Sequence, residues 1–163
     1  MMRYLILLLA LFACCYNSAY AIWIVSSHRS PMDEKETLSI YAIAKKDPLR
    51  RNTPLLFVQC TSGELSIILN AGVMLTQDNS GNRIFGRIRY DNLPAKDLMG
   101  NISSSYKTIF LLDPESHLEY LLKARRALFE FMLFPSGQQI AEFDVAGLDR
   151  HLPLLGQHCR LTK

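Results

Sequence analysis

Residues 37 to 45 read Thr-Leu-Ser-Ile-Tyr-Ala-Ile-Ala-Lys, so Leu38, Ile40, Ala42 and Ala44 fall on one side and Thr37, Ser39, Tyr41 and Ile43 on the other. A period of two belongs to an extended strand with one buried face. The alternation returns at residues 55–60, where Leu56, Val58 and Cys60 share a side. It continues at residues 65–69, after the turn sequence Thr61-Ser62-Gly63-Glu64. Two strands divided by so short a turn pair as a hairpin. Residues 83–90 alternate once more, with Ile84, Gly86, Ile88 and Tyr90 opposed to Arg83, Phe85, Arg87 and Arg89. Short turns between successive strands demand antiparallel pairing, which sets the fold class.

The period changes after Leu112. Asp113-Pro114-Glu115 starts a helix, with Asp113 at the N-cap and Pro114 at the first helical position. That helix is expected to run to about residue 126, ending on Lys123, Arg125 and Arg126, where the helix dipole favours cations. Residues 128–134 and 138–145 form a second hairpin around Pro135-Ser136-Gly137. A last helical segment covers residues 146–159. There Leu148, Leu152, Leu155 and Cys159 form one stripe, and Pro153 kinks or splits the helix. Shorter strands are expected at residues 73–76 and 107–112, and loops at 26–36, 45–54, 77–82 and 92–100. The expected fold is α+β: one small domain, mostly antiparallel β-sheet or sandwich, with a middle helix and a C-terminal helix.

The N-terminus reads as an address. Met1-Met2-Arg3 is followed by an uncharged apolar run at residues 4–16, and small residues then stand at Ala19 and Ala21. This is the layout of a signal peptide spanning residues 1–21, with cleavage after Ala21. The run is short of the ~20 residues that a membrane span needs. Lipidation at Cys14 is the rival reading, disfavoured by the bulky Phe12. Cleavage leaves residues 22–163 as the single domain, a periplasmic or secreted chain with no stable membrane span. It removes Arg3, so the net charge falls from +3 to +2, too small to argue for nucleic acid. It also removes Cys14 and Cys15, leaving Cys60 and Cys159 as a pair in a compartment that permits disulfides. A Cys60–Cys159 bond is expected, with two free thiols as the alternative.

Candidate chemistry is sparse. His28, His117, His151 and His158 match no metal-ligand spacing, and Asp78-Asn79-Ser80-Gly81-Asn82 only loosely echoes a calcium loop, so no metal or cofactor is expected. Ser104-Ser105-Tyr106-Lys107 matches Ser-x-x-Lys, but it precedes a strand instead of opening a helix, and its companion motifs are missing. Asp33, Glu34 and Glu36 form an acidic cluster that is either a solvated loop or a contact site. Arg83, Arg87 and Arg89 make a basic stripe able to grip an anionic partner. The same stripe, balanced by acids such as Asp91, is an ordinary solvent face.

In order along the chain, the landmarks resemble those of the type VI secretion-associated TagO (VasI) family. They are Trp23, Ser30-Pro31-Met32-Asp33 and the strand Thr37-Leu38-Ser39-Ile40; then Leu55 to Cys60; then Arg87-Ile88-Arg89-Tyr90-Asp91; and finally Phe143-Asp144-Val145-Ala146-Gly147-Leu148 and Cys159. This chain has Asp33-Glu34 where the family often has paired aspartates. The resemblance implies a non-enzymatic accessory protein of the cell envelope, contacting an envelope or secretion-system protein. Asp33, Glu34, Arg83, Arg87 and Arg89 are the candidate contact residues. A phage- or plasmid-type exclusion or inhibitor protein is the alternative. A cell-wall hydrolase using Ser104 and Lys107 or the acidic cluster is a further one.

Overall fold

The computed structural model describes residues 22–45, 52–76 and 86–161. The expected signal peptide, Arg83 and the loose calcium echo lie outside the described residues. Among the described residues, ten strands fall into two antiparallel sheets. Sheet one runs in the order β1 (Ile24–Arg29), β2 (Glu36–Ile43), β3 (Leu55–Thr61), β4 (Glu64–Asn70), β8 (Thr108–Leu111), β7 (Gly100–Ile102). Sheet two runs β10 (Gly137–Asp144), β9 (Arg126–Leu133), β5 (Gly86–Tyr90), β6 (Lys96–Asp97). Helix α1 (Pro114–Lys123) lies between β8 and β9 in sequence. A 3₁₀ turn (Leu148–His151) and helix α2 (Leu152–His158) end the fold.

Side-chain alternation builds one core from both sheets. Leu38, Ile40, Leu56, Val58, Ile67, Leu69 and Ile109 from sheet one join Ile88, Phe129, Phe131, Ala141 and Phe143 from sheet two, and α1 adds Leu118 and Leu121. Phe129 and Phe143 meet edge to face with ring centroids 5.6 Å apart, a geometry favoured by the ring quadrupoles. Trp23 donates its indole N–H to the Val145 carbonyl at 3.3 Å, tying the start of the domain to the end of β10. Ser62 and Gly63 both have positive φ, 54° and 88°. That is the two-residue turn whose twist matches a β-hairpin.

Cys60 and Cys159 are bonded, with Cα atoms 5.5 Å apart and a sequence separation of 99. The bond ties the inner face of β3 to the residue that closes α2. Among the described residues no helix is long and apolar enough to cross a membrane.

Several elements depart from expectation. Residues 26–29 form most of β1 instead of a loop. As an edge strand with both faces largely exposed, β1 carries no apolar alternation to betray it. β6, and Gly100 at the start of β7, were likewise hidden in the expected 92–100 loop. Helix α1 stops at Lys123, not near 126, because Arg126 opens β9 opposite Asp144. Asp113 holds the cap position with a left-handed backbone (φ 53°), and its carboxylate makes no cap hydrogen bond. Its closeness to the Ser116 hydroxyl still holds it below the usual carboxylate range. Pro153 divides the last segment as expected. However, the 3₁₀ turn before it has three residues per turn, and the change of phase leaves Leu152 36% exposed while Leu148, Leu155 and Cys159 face the core.

Candidate functional site

The sequence-predicted contact residues separate in space. Asp33 and Glu34 sit in the 30–35 loop joining β1 to β2, and they are satisfied locally. Arg29 pairs with Glu34 at 3.3 Å and Lys35 with Asp33 at 3.4 Å. The Ser30 hydroxyl, with smaller help from Lys35, holds the Asp33 carboxyl below its ordinary value. Glu36 lies 4.0 Å from His158, so this loop neighbours the C-terminal helix. Arg87 and Arg89 stand instead on the outer face of sheet two. No hydrogen bond or ion pair among the described residues links the two groups.

On that outer face, strand register sets a small grid. Arg87 lies opposite Glu130 on β9 and Asp97 on β6, and Arg89 lies opposite Leu128. On the far side of β9, Glu130 faces Ile140 and Leu128 faces Glu142. Arg87 grips Glu130 with two hydrogen bonds, Nε–Oε1 at 2.7 Å and Nη2–Oε2 at 2.8 Å. Arg87 holds Glu130 below the usual carboxylate range, and Glu130 raises Arg87 in turn. Glu142 is taken by Lys45 at 2.6 Å. Asp91, the acid nearest in sequence, is not a counter-ion. Its carboxylate accepts the backbone N–H groups of Arg125 (3.0 Å) and Arg126 (2.8 Å), which steers the chain from α1 into β9. Arg89 therefore has no carboxylate partner among the described residues.

β5 can lie close to β9 because residue 86 is glycine. A Cβ there would strike the Glu130 carbonyl oxygen. Between the strands is an open hollow of about 230 Å³, floored by Leu128, Ile140 and Ala95 and rimmed by Arg87, Arg89 and Glu130. Small-molecule pockets usually occupy ~300–1,000 Å³. This hollow is smaller, matching one or two side chains of a protein partner: an apolar floor with a cation at its lip.

A second cluster was not legible in the sequence. Tyr90 and Tyr120 stack with centroids 5.1 Å apart, Lys96 donates to the Tyr120 hydroxyl at 2.8 Å, and the Tyr90 hydroxyl lies 2.7 Å from His117 Nδ1. Burial pushes the Tyr90 phenol up and the His117 imidazole down. We assign the hydroxyl as donor and Nδ1 as acceptor, which leaves the imidazole proton on Nε2. The cluster borders an open hollow of about 550 Å³ beside Asn92, Glu119 and Lys123. Its hydroxyls and Lys96 are already engaged with one another, so the cluster reads as a brace between α1 and sheet two. One consequence is a pH dependence. The folded His117 pKa lies below its unfolded value, so stability falls as pH drops through the unfolded value of ~6.5 and levels off below the folded one. Urea midpoints measured from pH 8 to pH 5 should show this loss in the wild type, and a shallower slope in His117→Gln.

Ser104 and Lys107 are both exposed in the turn before β8. The turn is held by Ser103 N–H to the Thr108 carbonyl at 2.9 Å, and the Ser103 and Ser105 hydroxyls lie 2.9 Å apart. No hydrogen bond joins Ser104 to Lys107 among the described residues. No group of three or more metal-ligating side chains occurs among them either.

No known protein family matches the sequence, and no curated protein matches it. A solved structure shares the fold. It is the invasion associated protein B of Bartonella henselae, with a TM-score of 0.53 over 86% of this chain and 95% of that one. Sequence identity is 11%, so the likeness speaks to the fold alone.

Proposed function

We propose that this chain is an exported accessory protein of the cell envelope, similar in role to TagO-type proteins, that acts by binding another envelope protein through the outer face of sheet two. The observation that carries the reading is Arg89: an exposed guanidinium without a carboxylate partner among the described residues, at the lip of an apolar hollow. Such a lip suits an acidic or C-terminal carboxylate next to an apolar side chain on the partner. The Cys60–Cys159 bond supports the exported location, since such bonds persist in oxidising compartments. Arg87, already committed to Glu130, serves here to hold the rim, and the 30–35 loop plays no part in the contact.

The test is capture of partners from a periplasmic extract by the tagged chain, its Arg89→Glu variant and a Glu34→Gln control. Wild type and Glu34→Gln should retain the same envelope protein, and Arg89→Glu should lose it. Arg89→Glu would set a like charge against the partner's carboxylate, and like-charge juxtaposition at an interface is costly enough to abolish capture. Equal capture by all three would count against the sheet-two face.

A further inference from the structure

The two outer faces of the domain differ in kind. On sheet two, charge dominates. On sheet one, register lines up Ile24, Tyr41, Phe57, Ile68 and Phe110, each opposite the next across β1, β2, β3, β4 and β8. The Tyr41 and Phe57 rings lie 5.2 Å apart; Phe110 is 42% exposed, Ile24, Tyr41 and Phe57 are half-buried, and Ile68, between Phe57 and Phe110, is buried. The next row, again in register, is Ser26, Ser39, Gln59 and Ser66. Gln59 ties the rows together, receiving Ser39 at 3.4 Å and donating to Thr61 at 3.1 Å, while Thr61 meets Thr37 at 3.1 Å. No lysine or arginine stands among the outward positions of β1 to β4 and β8, and the one acid, Glu64, sits at a turn.

Exposed sheet faces in water ordinarily carry charge. A face depleted of Lys, Glu and Asp, with aromatics at its centre and hydroxyls and amides around them, has the composition of an interface core and rim. With strands of 6, 8, 7, 7 and 4 residues, spaced ~4.8 Å apart and rising ~3.3 Å per residue, the face has a footprint of about 500 Å² per copy, or about 1,000 Å² for a pair. That reaches the ~1,000 Å² expected of a specific interface. An uncharged face also meets its own copy without repulsion, whereas a face such as that of sheet two requires an oppositely charged partner. We propose that the chain forms a two-fold homodimer by packing the outer faces of sheet one together, with Tyr41, Phe57 and Phe110 as anchors. The two sheets stack face to face as in a sandwich. Both copies of the Arg89 hollow remain free on the outside, so the dimer presents two such sites. The dimer stands or falls independently of the Arg89 reading.

Sedimentation velocity on the purified, oxidised chain over a micromolar concentration series tests it. Wild type should sediment as a concentration-dependent dimer, and Arg89→Glu should behave identically. Phe110→Lys should raise the dimer dissociation constant at least about tenfold, as for truncating an anchor. Gln59→Lys adds charge to the face without touching the apolar row. It should do the same, and it decides the matter if Phe110→Lys does not fold. A wild type that stays monomeric throughout overturns the proposal, including one that instead binds a neutral glycan. So does a Gln59→Lys variant with native circular dichroism and undiminished dimer.

Discussion

Replacing Cys60 and Cys159 together by alanine should lower the unfolding free energy by about 4–5 kcal/mol, the loop-entropy value for a closed loop of about 100 residues. The bond joins β3, in the first half of the domain, to the end of α2. Without it the last segment is held chiefly by Leu148 and Leu155, which are 1% and 0% exposed. A domain of this size has a total stability of only about 5–15 kcal/mol. The loss should therefore appear as a large drop in the urea midpoint of the variant, matched by the reduced wild type. A midpoint within experimental error of the oxidised wild type would show that the C-terminal segment docks without the bond.

The second large effect is expected from Phe129→Ala. Phe129 is fully buried on β9, edge to face with Phe143, and β9 is hydrogen-bonded to β10 on one side and β5 on the other. Truncation should cost about 3–5 kcal/mol, the sum of lost transfer free energy and an incompletely collapsed cavity. Because β9 supports β5, the variant should also loosen the Arg87–Glu130 pair on the outer face. Urea denaturation gives the first effect, and faster amide exchange along β5 than along β3 gives the second. A loss below about 1 kcal/mol would mean that the core repacks around the gap.

Much of this fold was legible because burial imposed a pattern. Leu38, Ile40 and Ala42 on β2, and Leu56, Val58 and Cys60 on β3, alternate because one face of each strand is dry. The disulfide followed from counting the cysteines that remain beyond the expected signal peptide. β1 left no such trace, since its residues after Ile24 are exposed on both sides. The end of α1 was misplaced because helix-favouring residues at 124–126 gave way to strand pairing and to the Asp91 carboxylate, contacts set by tertiary structure. Likewise the stripe on β5 was visible, but its balance of charge was not. The counter-ion of Arg87 is Glu130, 43 positions away, and only the β5–β9 register brings them together. The Tyr90–His117–Tyr120–Lys96 cluster draws on three elements and has no local signature at all.

The most direct test of the functional account is site-specific photo-cross-linking in intact cells, with the reactive side chain placed at Ile140 on the floor of the sheet-two hollow. The account predicts an adduct with one envelope protein, lost when Arg89→Glu is combined with it. An adduct that survives Arg89→Glu unchanged, or an envelope adduct formed only from a probe at Asp33 in the 30–35 loop, would contradict it.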